Sequence, residues 1–534
     1  MQKIVLLGDE AIAQGAIDAG VSAVYAYPGT PSTEITEYVI RSKEHKSGDI
    51  AAQWTSNEKT AVEAAIGVSY VGKRAMACMK HVGLNVAADA FMNIPVTGVN
   101  GGLVIVSADD PSMHSSQNEQ DSRYYGKFAQ IPVLEPVNQQ EAYDMMSYAF
   151  EMSERLNVPV LIRITTRLAH SRAGVQLKEK LTQNKLALPA NKRQFVLLPA
   201  IARKQYNMLL ENMPNIENES EISGFNQLYT GTDYSMGIIT TGIAYNYLME
   251  NFPDGIDFPV LRIAQYPMPL KMLRKIYDEC DSIMVIEEGY PIVEADLRGL
   301  LNLGKKIYGR LDGSLPRAGE LNPNRVRKAL KLDLYQTNNV PEVVTPRPPA
   351  LCAGCPHTDS YTALNIVMEE FGAGRVFSDI GCYTLAALEP LESINSCVDM
   401  GASITMAKGA ADVGLVPAVA VIGDSTFTHS GITGLLDAIN SKSPITVMIL
   451  DNGTTGMTGG QPSQATGKIE DICLGLGVDK DHIHVLNPIK KFHEDNVAIM
   501  KRELDYHGVS VIIPRRECII TLGARIRSVK IAEE

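Results

Sequence analysis

Two short polar clusters, Gly423-Asp424-Ser425 and Asp451-Asn452-Gly453, each close an apolar run in the last third of the sequence, VAVIG and ITVMIL. Magnesium takes hard oxygen ligands in an octahedron, one or two from the protein and the rest from phosphate and water. Asp424 offers a carboxylate, Asn452 an amide oxygen, and the backbone carbonyl near Thr454 completes the protein's share. Glycine-rich turns, with Gly423 among them, let main-chain N–H groups approach a diphosphate. Either cluster alone is more simply a polar loop after a strand. The pair, joined by one strand–helix–strand unit, makes Gly423, Asp424, Ser425, Asn452 and Thr454 the candidate cation and phosphate residues.

Cysteine supplies a second chemistry. Leu351-Cys352-Ala353-Gly354-Cys355-Pro356-His357 contains a CxxC, which serves equally a zinc ribbon, a thioredoxin-like redox pair or an iron–sulfur ligand pair. The thioredoxin arrangement needs the pair to open a helix after a strand, and here it follows a proline-rich stretch. Zinc would prefer a second CxxC, which the sequence lacks. Cys382 and Cys518 each follow an apolar run of the same region, and four such thiolates can hold one [4Fe–4S] cubane. Cys78, Cys280, Cys397 and Cys473 sit in apolar or helical contexts and read as buried thiols.

The elements that must position these groups alternate. Residues 1–175 carry strand-like runs at Ile4–Leu7, Ala23–Tyr27, Ala75–Met79, Leu103–Ser107 and Val158–Ile164, with a helix over Asn57–Val71. Strand, helix and strand in succession predict a parallel sheet covered on both faces. Residues 176–232 loosen into a connector with one amphipathic stretch near Ala200–Met213. A second α/β unit at 233–334 has strands at Met236–Thr240, Val260–Ile263 and Ile283–Ile286. Residues 335–350 form a proline-rich linker. A third unit, 351–534, contains Ala418–Ile422, Ile445–Leu450 and Val509–Ile513. Three parallel-sheet α/β domains are therefore expected. With 534 residues, 45% hydrophobic and 21% charged, the chain suits a multidomain globular protein. Its net charge of −12 disfavours nucleic acid and anionic membranes as partners. No apolar run reaches the ~18 residues of a spanning helix. The N-terminus lacks signal-peptide character, and the cysteine usage fits a reducing cytosol.

The Asp424 and Asn452 clusters resemble the thiamine-diphosphate motif, Gly-Asp-Gly followed at a distance by Asn, with Ser425 departing at the third position. Such enzymes need a glutamate that hydrogen-bonds the aminopyrimidine, in a different α/β domain. Glu58, at a strand-to-helix junction, is placed for it, though on its own it is equally a helix N-terminal acid. Tyr27-Pro28-Gly29-Thr30-Pro31-Ser32 resembles a loop of the 2-oxoacid:ferredoxin oxidoreductases. Met79–Asn85, Ala108–Pro136, Asp379–Leu385 and Ile449–Pro462 resemble the alpha-subunit type of the indolepyruvate branch of that family, over nearly the whole sequence and in the same domain order.

That resemblance implies a pyrimidine-binding domain (1–175), a transketolase-C-like domain (233–334) and a diphosphate-binding domain (351–534). It implies Glu58 as the cofactor-activating acid, and Thr30 and Arg123 as substrate-side residues. Arg123 would take the 2-oxoacid carboxylate on its planar fork, with an ordinary surface arginine as the alternative. His81 and His114 lie in matching segments without an assigned role. The implied cofactors are thiamine diphosphate, Mg2+ and one [4Fe–4S] cluster on Cys352, Cys355, Cys382 and Cys518, with coenzyme A as co-substrate. The implied reaction is oxidative decarboxylation of an aryl or branched 2-oxoacid, with a smaller gamma-type (beta) subunit and ferredoxin or another carrier as partners, in a dimer or heterotetramer. A non-oxidative 2-oxoacid decarboxylase is the alternative. The branch usually continues into a ferredoxin-like domain, and no cysteine follows Cys518 here.

Overall fold

The structure is a computed structural model. It describes the chain except residues 1–2, 192–193, 196, 300–303, 317–318, 337–339, 346–349, 398–399, 413 and 534, together with the side chains of 412 and 529–533. The chain forms two compact units, residues 1–338 and 339–534.

In the first unit a seven-stranded sheet runs in the spatial order Gln265–Tyr266, Val133–Leu134, Val160–Thr165, Leu103–Asp109, Ala75–Lys80, Ala23–Ala26 and Ala51–Trp54. All neighbours are parallel except Gln265–Tyr266, which pairs antiparallel with Val133–Leu134. The central strands are buried along their whole length, as expected of a parallel sheet covered on both faces. Lys3–Leu7 stands apart from this sheet. It pairs antiparallel with Arg172–Gln176 in a two-stranded ribbon, so the expectation that it opens the parallel sheet is corrected. Its alternating burial, with Val5 67% exposed, is the pattern of a half-covered ribbon.

The second sheet of this unit has the order Lys306–Tyr308, Ser282–Ile286, Gly237–Thr241, Val260–Ile263 and Gln227–Tyr229, the last antiparallel. The expected boundary at 233 does not separate two cores. One continuous apolar cluster includes Val104 and Ile162 from the first sheet and Ile238 and Val285 from the second. The connector forms a 24-residue helix, Pro199–Ile222, which buries Leu209 and Ile216 and pairs Glu219 with Arg155.

The second unit carries a six-stranded parallel sheet: Ser396–Cys397, Val376–Ser378, Ala418–Gly423, Ile445–Leu450, Ser510–Pro514 and Ile483–Leu486. The period of two along each strand divides its core. Ala418, Ala420 and Ile422 pack on one face with Ile445, Val447 and Ile449, while Val419, Val421, Met448 and Leu450 pack on the other. Both polar clusters of the cation motif thereby arrive at the carboxyl ends of adjacent strands, Ala418–Gly423 and Ile445–Leu450. Among the described residues, no helix is long and apolar enough to cross a membrane.

Candidate functional site

In the second unit, Asp424 opens a helical turn directly after Gly423 and is 3% exposed. Its Oδ1 accepts from the Ser425 N–H at 2.7 Å and its Oδ2 from the Gly453 N–H at 2.9 Å. A carboxylate has about four acceptor positions, so room remains for a cation. Burial, and next the nearby Asp451 carboxylate, push the Asp424 carboxyl up to about 7, a cost that a bound cation would relieve.

Asn452 turns its Oδ1 to the Thr454 N–H at 3.0 Å and its Nδ2 to His357 Nε2 at 3.2 Å. Burial pushes His357 down to about 4, so its ring is neutral and Nε2 accepts from that amide. The Thr454 hydroxyl donates to the Gln461 carbonyl at 3.0 Å, closing a small hairpin of Thr454–Thr455 with Gln461–Pro462. Gly453 has φ +73°, and a Cβ built there would meet nothing within 4 Å. Asp424, Asn452 and Thr454 thus surround a loop with open space above it, a donor set that fits magnesium and a diphosphate.

The four motif cysteines converge. Cys352, Cys355, Cys382 and Cys518 all line one cavity of about 180 Å³, which Asn452 and His357 also line. The Cys518 N–H donates to the Asn452 carbonyl at 3.2 Å, tying the last thiol to the cation loop. Burial, and next the neighbouring sulfurs led by Cys355, push the Cys382 thiol up to about 11. Mutual repulsion of thiolates around a shared hollow is what a cluster's iron charge would reverse. Cys78 and Cys473 are buried, as expected. Cys397 is half-buried, and its thiol lies 3.6 Å from the Asp379 carbonyl.

In the first unit, Glu58 is the first residue of the helix Glu58–Tyr70. Asn57 caps that helix by accepting from the Thr60 N–H at 2.9 Å. Glu58, Ala61, Val62, Ala65 and Ser69 form the buried face, so the acid points inward and is 4% exposed. Gly83, in the short helix His81–Val86 that follows the neighbouring strand Ala75–Lys80, lies directly against it. A Cβ on Gly83 would stand 2.5 Å from Glu58 Oε1.

Thr30 sits in a loop fastened by Ser32 Oγ donating to the Gly29 carbonyl at 2.8 Å. Its own carbonyl accepts from Ser115 Oγ at 3.2 Å. Lys80 Nζ donates to the Ser115 carbonyl at 2.9 Å, and Asp110 accepts from the Ser115 N–H at 2.8 Å and Ser116 Oγ at 2.7 Å. Lys80 is pulled down by burial, opposed by the Asp110 and Glu58 carboxylates. The sequence did not single out Lys80, Asp110 or His357. Their only signal was adjacency to the motifs, as in Cys-Pro-His357.

Arg123 is not the surface arginine of the alternative reading. It is 1% exposed and lies among protein acceptors: Asp121 Oδ1 at 2.9 Å, Glu287 Oε2 and the Tyr266 hydroxyl at 3.2 and 3.1 Å, and the Tyr290 carbonyl at 2.8 Å. It shares a buried ionic network with Arg163, Asp109 and Glu135, and it also lines a cavity of about 300 Å³ with Tyr266 and Ile292. His81 is buried with Nε2 at 3.3 Å from Asn118 Oδ1. His114 is half exposed beside Glu320.

Two family models match the chain. "Pyruvate flavodoxin/ferredoxin oxidoreductase, thiamine diP-bdg" covers residues 14–224, and "Thiamine pyrophosphate enzyme, C-terminal TPP binding domain" covers 379–480. A solved structure, a 2-oxoglutarate:ferredoxin oxidoreductase from Magnetococcus marinus with 2-oxoglutarate, coenzyme A and succinyl-CoA bound, superposes with a TM-score of 0.50 at 16% identity. The match covers 62% of this chain and 65% of that one, and it shows the fold alone. The class is that of thiamine-diphosphate-dependent 2-oxoacid oxidoreductases, and this is a catalytic subunit.

Indolepyruvate oxidoreductase subunit IorA of Archaeoglobus fulgidus is 40% identical over 98% of this chain and 88% of its own length. The subunit of the same name in Methanothermobacter marburgensis is 37% identical over 100% and 90%. The chain belongs to the indolepyruvate oxidoreductase subunit IorA family. As a subunit of that kind it works with a partner subunit in an oxidoreductase complex.

Proposed function

We propose that this subunit oxidatively decarboxylates an aryl or branched 2-oxoacid to an acyl-CoA and CO2, and passes the electrons through one [4Fe–4S] cluster to ferredoxin or another carrier. The observation that carries the proposal is the convergence of Cys352, Cys355, Cys382 and Cys518 on one cavity that Asn452 also lines. A cluster held there would adjoin the cation loop, a short path for electrons leaving the cofactor.

Thiamine diphosphate, when bound, supplies a carbanion that adds to the ketone carbon and takes up the electrons left by departing CO2. The chain's own residues prepare for this. Asp424, the Asn452 side chain and the Thr454 carbonyl would hold Mg2+, and the main chain around Gly423, Ser425 and Gly453 the diphosphate. Glu58 would hold a proton at its carboxylate against the aminopyrimidine nitrogen, with Gly83 close beside it. Thr30, on its fastened loop, would contact the substrate. The smaller subunit of the family is the expected partner, in a dimer or heterotetramer. Net charge offers no footing for nucleic acid.

The test is anaerobic purification with the smaller subunit, followed by coenzyme A-dependent dye reduction with aryl, branched and short 2-oxoacids. Aryl substrates should give the highest kcat/KM, alongside about four iron and four acid-labile sulfide per chain, the content of one cubane. Aldehyde release without coenzyme A, in protein lacking sulfide after reconstitution, would overturn the proposal.

A further inference from the structure

We propose that Asp9, Glu34 and His170 bind a divalent transition-metal ion of the zinc class, at a site separate from the cofactor residues. Asp9 lies in the first turn of the helix Gly8–Asp18. It is fully buried, and neither carboxylate oxygen has a hydrogen-bond partner. A buried polar group without a partner costs several kcal/mol, so something must face it. The polar side chain that does face it, Glu34, is another carboxylate, and its Oε2 likewise has no hydrogen-bond partner. Asp9 itself meets no hydrogen-bond donor, while His170, raised by the Glu34 carboxylate beside it, can carry positive charge only toward Glu34.

His170 Nε2 lies 3.6 Å from Glu34 Oε2, beyond hydrogen-bond reach. One ligand atom from each of the three residues lies within 4.8 Å of the others. Zinc bonds of about 2.0–2.2 Å place two ligands of a tetrahedron about 3.3–3.6 Å apart. An imidazole in the set selects the zinc class over magnesium or calcium, which prefer oxygen throughout. A doubly charged ion would also neutralise the two carboxylates.

His170 and Glu34 are partly exposed, which leaves an entry path and a fourth position for water. Cys78 and Thr36 back the site from the interior. The Cys78 thiol keeps its proton, chiefly because it is buried and next because Asp9 faces it. The ion would join three segments far apart in sequence. One of them is the first turn of the helix Thr33–Arg41, which continues directly from the loop carrying Thr30.

The test uses the full chain with its partner subunit, stripped of loose metal by chelator and titrated with CoCl2 and ZnCl2. Asp9→Asn keeps the shape and supplies an N–H to Glu34, so it should fold while losing a ligand. His170→Ala removes the nitrogen at the surface. The wild type should take up one Co2+ with weak d–d bands and no thiolate charge transfer, which separates this site from the cysteines. Both variants should bind that ion at least tenfold more weakly, and ZnCl2 should raise the Tm of the wild type alone. Equal uptake in wild type and both variants, or no Tm rise in the wild type at saturating zinc, would overturn the proposal. Asp9 would then hold a proton shared with Glu34.

Discussion

Glu58 occupies a helix start whose cap Asn57 already supplies, so its burial answers no structural need of that helix end. Glu58→Gln keeps size and one acceptor but cannot exchange the proton. We expect kcat to fall by about 10²–10⁴-fold, with Tm unchanged and thiamine diphosphate bound within a few-fold of wild type by calorimetry. Gly83→Ala tests the same carboxylate from the other side. The new Cβ would meet Glu58 Oε1, Cγ and Cδ at 2.5–2.8 Å, and a side-chain tip gives way more cheaply than backbone. Little stability should be lost, while displacement of the acid should lower kcat by roughly tenfold to a hundredfold. Retained turnover in Gly83→Ala, with Glu58→Gln inactive, would mean that the approach of Gly83 does not set the acid's position.

At the scale of elements, the strands Val160–Thr165, Leu103–Asp109 and Ser282–Ile286 end in or carry the charges that cross between the two sheets of the first unit. Arg163 bonds Asp109 Oδ2 at 2.8 Å, Glu135 and the Glu288 carbonyl at 2.9 Å. Arg163→Met removes a cation and leaves those carboxylates buried, which should cost about 3–5 kcal/mol, read from urea unfolding of the first unit. Glu287 and Glu288, directly after Ser282–Ile286, are pushed up by burial to about 7 against the pull of Arg123 and Arg310. A carboxyl raised in the fold favours folding while protonated, and loses that contribution as pH rises through its folded value. The Tm should therefore fall as pH rises from about 4.5 to about 7 and level off above that, and Glu288→Gln should flatten the slope.

The same elements mark how far the sequence could be read. Long apolar runs such as Leu103–Asp109 and Ile445–Leu450 were legible because a doubly covered strand must be apolar throughout. Ala51–Trp54 was not, since an edge strand of Ala, Ala, Gln and Trp has no such run. Asp424, Asn452 and the four cysteines were legible because their spacing carries chemistry. The burial of Arg123 was not legible, because its partners Glu135, Tyr266 and Glu287 come from later segments and local sequence around it reads as a polar loop. Nothing in the sequence joins Asp9, Glu34 and His170; only the fold brings them together.

For the whole molecule, the pairing of Gln265–Tyr266 with Val133–Leu134 ties the segment after the second sheet's Val260–Ile263 strand into the first sheet, within one compact unit. A fragment ending at 175 or 232 would leave Val133–Leu134 an open edge and deprive Arg123 of Glu287. It should be insoluble on expression, while a fragment ending at 338 should stay in the supernatant. A soluble, cooperatively melting 1–232 fragment would refute this coupling. The pairing also sets a clock on the ribosome. Arg123 and Glu287 are 164 residues apart, so at about 5–20 residues per second the first sheet waits roughly 8–33 s for its last edge and counter-charge. Through that interval a nascent chain carries an unfinished edge, the kind of surface that chaperones shield.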